Sequence, residues 1–282
     1  NSGNFNYKIS NDSTKILIYY NLPYNRRESQ KFGFHVFDKD MNQLWEKIVI
    51  SPYKEALFEV EDYKVDNKGN VHLLGLIFEY ERREKRKGKP NYKYQILSYY
   101  NNGNELKEYP VVVEGKFLTD MQIAINDNQD IICGGFYSSE GTFSIEGSYF
   151  LKINGQTKEI NSKEFQKFGI DFITQNMTKK EEKKRKRKYA KGKNTELYQY
   201  NLDNIILKDD GGAILIGEQY FVKIVSSDRY TKYIYNFNDI IVVNMSASGK
   251  IEWTKKIAKK QKTINDGGFF SSYALSVVKD KL

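Results

Sequence analysis

The sequence predicts an all-β protein of the β-propeller class, on three observations. Residues 201–258 read as a complete four-strand meander, weaker copies of its parts recur three times upstream, and the apolar runs are short with turn residues between them. In the clearest unit Ile205-Ile206-Leu207-Lys208 is a strand, and Asp209-Asp210-Gly211-Gly212 is a turn that tolerates positive φ. Ala213-Ile214-Leu215-Ile216-Gly217-Glu218 returns as a continuous apolar strand, and beyond a polar loop Asp239-Ile240-Ile241-Val242-Val243-Asn244 forms a third. Ser246-Ala247-Ser248-Gly249 then turns into Lys250-Ile251-Glu252-Trp253-Thr254-Lys255-Lys256, which alternates as a half-buried edge strand does.

The upstream units follow the same order. Unit one has strands at 7–9, 15–20, 34–37 and 44–48; unit two at 61–65, 71–78, 93–100 and 106–113; unit three at 121–125, 131–137, 148–153 and 157–160. Trp45 and Trp253 each begin the outer strand of their units. Inner turns at Ser13, Gly69, Gln129 and Gly212 lie about 56, 60 and 83 residues apart, more than the roughly 40 to 50 of compact blades, so the excess belongs to loops. The expected organisation is one domain over 1–282, with blades at about 4–50, 57–114, 117–162 and 201–258 and a partial fifth at 269–282. Residues 271–279 resemble another first strand with no partner after it. The chain is therefore expected to be a portion of a longer polypeptide, or a ring closed by residues beyond those given.

An insertion at 163–200 separates units three and four. Phe165, Phe168, Phe172, Ile173 and Met177 fall at helical spacing and put an apolar stripe on one side. Residues 179–193 continue as a charged segment in which Glu181 and Arg185, and Glu182 and Lys186, stand four apart, the spacing that supports a solvated helix. The stripe either packs back on the sheets or docks into a partner. Phe165, Phe168, Phe172, Ile173, Met177 and the basic run Lys183, Lys184, Arg185, Lys186 and Arg187 are the candidate partner-binding residues.

The formal charge of +9 is concentrated in two places. Residues 178–193 hold ten Lys or Arg against two Glu, a net of +8, and residues 81–89 hold a net of +4, leaving −3 for the rest. The basicity belongs to two loops and not to a nucleic-acid face, and only Tyr189 is interleaved with the main run. No apolar run approaches the roughly 20 residues needed to span a bilayer. A hydrophobic fraction of 39% and 4 Pro are those of a folded, soluble chain without a long structureless tail, and the 15% aromatic content suits sheets. Asn1-Ser2-Gly3 has no basic or apolar leader character, so an export signal is expected to have been removed or to lie upstream.

Chemistry-bearing motifs are sparse. Cys133 sits in the apolar run Ile131-Ile132-Cys133-Gly134-Gly135 and reads as a small buried hydrophobe. Asp38-Lys39-Asp40-Met41-Asn42 opens like a calcium loop but lacks its Gly, and Val49 stands where the bidentate Glu belongs, so a hairpin turn is expected there and at 126–130. His35 and His72 lie in strand patterns without partners at metal-ligand spacing. No Gly-rich phosphate loop precedes a helix. No metal or cofactor is expected. Paired carboxylates gathered from distant repeats at a central channel are the one catalytic arrangement left open.

The run Ile-Ile-Val-Val-Asn at 240–244, followed by Ser-Gly-Lys-Ile-Glu-Trp-Thr-Lys-Lys-Ile at 248–257, resembles the β-propeller repeats of exported proteins of Bacteroidota, as does the Asn-, Lys-, Ile- and Tyr-rich usage. The resemblance covers most of the chain outside 163–200 and implies a scaffold without assigning a catalytic residue. Within that group, large propellers occur as outer-membrane lipoproteins, carbohydrate-system accessories and parts of the gliding and type IX secretion machinery. The resemblance and the insertion lead to the expectation of a non-catalytic periplasmic module that docks on, or plugs, an outer-membrane secretion assembly and binds protein and not nucleic acid. The alternative is a propeller that binds or cleaves glycans through channel-facing carboxylates and aromatics. The tips at 24–31, 81–91 and 226–232 are candidates by position alone.

Overall fold

Among the described residues, four antiparallel sheets, each built on four strands in chain order, make up the body of the protein in a propeller-like arrangement. The computed structural model describes residues 5–278 except 24, 26, 81–84, 87–88, 114, 140–142, 194 and 228, and also 281–282. The terminal residues Asn1-Ser2-Gly3 and most of the basic loop at 81–89 lie outside the described residues. Sheet I holds Asn6–Ile9, Lys15–Asn21, Ser29–Asp38 and Gln43–Lys54. Sheet II holds Phe58–Val65, Val71–Phe78, Tyr92–Tyr100 and Glu105–Val111. Sheet III holds Phe117–Ile125, Ile131–Ser138, Gly147–Ile153 and Ile160–Lys167. Sheet IV holds Tyr200–Leu207, Ala213–Ser227, Tyr230–Met245 and Ile251–Ile257. Among the described residues no ladder joins sheet IV to sheet I.

The apolar faces meet between successive sheets. Leu17 and Phe34 of sheet I pack with Tyr63 and Leu97 of sheet II; Leu74 and Ile96 of sheet II with Met121 and Leu151 of sheet III; Phe136 and Phe150 of sheet III with Leu215 and Val243 of sheet IV. Each such side chain contributes about 1.5–3 kcal/mol on removal from water, and this stacking is what holds the first strands around one axis. Trp45 illustrates it: 8% exposed, it donates from Nε1 to the Gly69 carbonyl in the next sheet at 3.0 Å. Trp253, its counterpart in sheet IV, has no described sheet to face and is 47% exposed.

The turns behave as expected. Asp38 accepts from the backbone N–H groups of Asp40 and Asn42, both at 2.9 Å, so its carboxylate closes a hairpin turn. At 126–130 the Asn126 side chain accepts from the Asp130 N–H at 2.9 Å to the same end.

Two expectations are corrected. Residues 165–177 do not form one striped helix: Phe165 lies in the fourth strand of sheet III, stacked on Tyr149 with ring centroids 5.7 Å apart. Helix α1 spans only Ile170–Thr174, and Phe168, Phe172 and Ile173 are buried in the core between sheets III and IV. Second, 219–238 is not a loop. The two central strands of sheet IV run on past the sheet as an arm, and Gln261–Ile264 adds a third strand to it. Described residues of 271–279 enter no sheet ladder, and Val278 makes an isolated bridge to Lys281.

Helix α2, Lys179–Ala190, carries the basic run and buries no residue. Thr178 caps it, accepting from the Glu181 N–H while Glu181 accepts from the Thr178 N–H. With no buried residue of its own, the helix depends on this cap, on the Glu182–Lys186 pair at 2.9 Å and on polar ties from Arg185 and Lys186 to neighbouring segments. Thr178→Ala is expected to cost about 1 kcal/mol of helix stability, seen as faster amide exchange confined to α2; unchanged exchange there would contradict it.

Candidate functional site

In a meander the first strand starts at the end of the sheet where the second strand finishes. That end therefore also carries the second-to-third connections and the links between sheets. Here it receives the arm of sheet IV, the insertion with α1 and α2, and the segment around 79–91. The opposite end carries only short turns, around a cavity of about 700 Å³ lined by Ile9, Val65, Ile125 and Leu207 from all four first strands.

Near the loop-bearing end, the first strands of sheets II, III and IV each contain a register break against the second strand, at Val60/Asp62, Leu118/Asp120 and Leu202/Asn204. A bulge places one extra residue in a strand and re-aims its neighbours. The residues so placed are Glu61, Thr119 and Asp203, with Asp62, Asp120 and Asn204 next in line. Asp62 and Asp120 are held alike, each accepting the N–H of the following residue, from Tyr63 at 2.9 Å and from Met121 at 2.8 Å.

These carboxylates have different surroundings. Asp62 lies 2.6 Å from Lys8 Nζ and 2.8 Å from Lys64 Nζ. Burial pushes its carboxyl up, but the Lys64 and Lys8 ammonium groups outweigh it and hold it below the usual range. Among the described residues no Lys or Arg lies within ion-pair distance of Asp120. Burial, opposed by hydrogen bonds from Leu202 N–H at 2.6 Å and from Met121 N–H, and reinforced by the nearby charges of Glu61 and Asp203, raises it to about 7. Asp203 is also raised, by burial first and then by Glu218, and accepts from the Tyr273 hydroxyl at 2.8 Å. Glu218 is buried against Lys259 and accepts from Ser272 Oγ at 2.6 Å. The hydroxyls of Tyr94 and Tyr149 are within electrostatic reach of Asp120. Three sheets thus bring together one carboxyl that holds a proton near neutral pH and two exposed carboxylates, Glu61 and Asp203. This pairing is the electrostatic requirement for acid–base chemistry.

A second polar cluster has the residue types of a hydrolase but not the access. His72 Nδ1 lies 2.8 Å from Ser98 Oγ, and its Nε2 lies 3.4 Å from Asp66 Oδ2. All three are buried, at 1%, 0% and 2% exposure, so no substrate reaches Ser98. Asp66 also accepts from Lys68 and Asn70 N–H, and the cluster pins the inner turn of sheet II. His72 is thus a packed strand residue, as expected, while His35 is half-buried with its Nδ1 3.1 Å from Glu46. Cys133 is fully buried in the core between sheets II and III, and burial pushes its thiol up. Iodoacetamide at pH 8 is expected to leave it unmodified until the protein unfolds; rapid labelling of folded protein would show the core open. Among the described residues no group of three or more His, Cys, Asp or Glu is disposed to hold a metal.

The sequence-predicted partner residues are not brought together. Phe168, Phe172 and Ile173 are spent in the core, Phe165 and Met177 are half-buried, and Lys183, Lys184, Arg185, Lys186 and Arg187 stay on α2. Lys186 pairs with Asp171 at 2.8 Å, and Arg185 donates to the Glu196 carbonyl at 3.4 Å, which fixes α2 beside sheet IV. Lys256, buried under Phe172, donates from Nζ to the Ile173 carbonyl at 3.1 Å and closes the end of α1.

No protein-family model and no curated relative matches the sequence. Solved structures are similar in fold. An apocarotenoid oxygenase from Synechocystis is 9% identical with a TM-score of 0.37, over 92% of this chain and 64% of the oxygenase, so the chain spans less than two thirds of that protein. An ulvan lyase is 12% identical with a TM-score of 0.39, over 91% of this chain and 70% of the lyase. An endo-arabinase from Bacteroides thetaiotaomicron is 11% identical with a TM-score of 0.35, over 93% and 94%. These similar structures are enzymes, and nothing in the comparisons shows a link to secretion or gliding. The expectation of a non-catalytic docking module finds no support among them and is corrected from the chain itself: most of the apolar stripe assigned to a partner is consumed by its own core.

Proposed function

We propose that this protein is a carbohydrate-active propeller that holds a glycan at the loop-bearing end of its axis and cleaves it by acid–base chemistry. The observation that carries the reading is the convergence of Asp120 with Glu61 and Asp203, set by bulges in three sheets. Cleavage of a glycosidic bond needs one carboxylic acid to protonate the leaving oxygen and one carboxylate to activate water or attack the anomeric carbon. Asp120 is the group kept protonated near neutral pH. Each of its oxygens accepts one backbone N–H and keeps a lone pair for the proton. Glu61 and Asp203 are the exposed carboxylates beside it.

The test is release of new reducing or unsaturated ends from a panel of neutral and acidic polysaccharides. The reading expects product from at least one of them, and much less from the Glu61→Gln protein. Equal product from Glu61→Gln, or no binding of any glycan, would overturn it.

A further inference from the structure

The arm of sheet IV presents two different faces. Register sets Lys223 against Ile234 and Ile234 against Ile264, Asn236 against Lys262, Val225 against Lys232, and Ser227 against Tyr230. Residues opposed in a ladder share a face, and alternate residues along a strand share it too. Lys223, Lys232 and Lys262 therefore stand on one face with Tyr230, Ile234 and Ile264, and no Asp or Glu is among the paired residues there. All three lysines are exposed, and among the described residues none lies within ion-pair distance of a carboxylate. Tyr230 lies beneath Lys232, with Nζ 4.8 Å from the ring centroid.

A second basic surface lies at the same end of the fold. Lys180, Lys184 and Lys188 form an exposed row at i,i+4 spacing on α2, away from Lys186 and its acidic partners. Both surfaces belong to the end of the fold where the first strands begin and carry their register breaks, and the α2 segment carries a net charge opposite to that of most of the chain.

We infer that the polymer held at this end is an anionic polysaccharide, gripped by the arm's lysine face and by the outer row of α2; this rests on the proposed glycan reading. The ammonium groups match its charges, while Tyr230, Ile234 and Ile264 give the apolar footing that the C–H face of a sugar ring requires. A nucleic acid is the poorer fit, because the exposed part of this face offers one aromatic ring, Tyr230, for base stacking.

Binding, not turnover, tests the inference on the full chain. Alginate is expected to bind at least about 10-fold more tightly than neutral dextran of the same length, with affinity falling steeply as salt rises. The triple change Lys223→Ala, Lys232→Ala, Lys262→Ala is expected to weaken alginate about 10-fold and flatten the salt dependence, and Lys180→Ala, Lys184→Ala, Lys188→Ala to do the same more mildly. Neither change should shift the thermal midpoint, since these side chains are solvated. Equal affinity for dextran and alginate, with cleavage of a neutral glycan intact, would overturn the inference and leave the glycan reading standing. Failure to bind either polymer would overturn both. Tighter binding to single-stranded DNA than to alginate would assign the surface to nucleic acid instead.

Discussion

Gly135→Ala is expected to destabilise the fold by about 3 kcal/mol, the upper part of the usual range for overpacking a sheet interior. A Cβ at this position would stand 2.0 Å from the carbonyl oxygen of Asp120 and 2.7 Å from the Tyr149 hydroxyl oxygen. Neither atom can retreat. The carbonyl belongs to the first strand of sheet III, held by its ladder to the strand that carries Gly135, and Tyr149 is buried at 1% exposure. Gly33→Ala is the control. Its Cβ would meet the Tyr20 ring at 2.1 Å, but that side chain is only half-buried and can swing aside. Urea unfolding at constant m checks both. A change below about 0.5 kcal/mol for Gly135→Ala would mean that the strands do not approach as closely as described. Because the same glycine faces the residue beside the bulge, the variant should also disturb Asp120.

That glycine shows how much of the site was legible beforehand. The apolar second strands with a trailing Gly look like plain scaffold in the sequence, yet a Gly inside a strand marks a bulge or a close backbone approach. Gly75 stands opposite Val60 and Gly217 opposite Leu202, at the bulges of sheets II and IV. The sequence therefore carried the position of the bulges. It did not carry their convergence, since Glu61, Asp120 and Asp203 are separated by whole sheets and meet only when stacking closes them around an axis. The stripe at 165–177 misled for a different reason. Phe165 to Met177 satisfies a 3.6-residue period, but Ile160–Lys167 also satisfies a strand's alternation, and pairing with the third strand of sheet III decides the matter. The basic helix was legible because Thr178 and Glu181 form a capping box that needs no tertiary partner. The arm was missed because Ser226, Ser227 and Arg229 look like loop, although Phe221, Lys223 and Val225 alternate with their neighbours as strand residues do.

Glu61→Gln is expected to reduce turnover of a susceptible polysaccharide by about 10²–10⁴-fold, the range associated with a positioned acid or base, while leaving stability within about 0.5 kcal/mol because the side chain is exposed. The pH dependence separates this from a binding defect. Asp120 can donate a proton only below its raised value of about 7, so the wild-type rate should fall as pH rises through that value. Loss of the Glu61 charge removes one of the neighbours that raise Asp120, and in the residual activity of Glu61→Gln that limb should move to lower pH. Stability must follow the same group with its own sign. Between the ordinary carboxyl value near 4 and about 7 the folded protein keeps a proton that the unfolded chain has lost, so this site makes the fold less stable as pH rises through that window. A rate limb that stays at the same pH in Glu61→Gln, or an Asp120 carboxyl resonance that titrates near 4, would remove the proton donor and with it the mechanism.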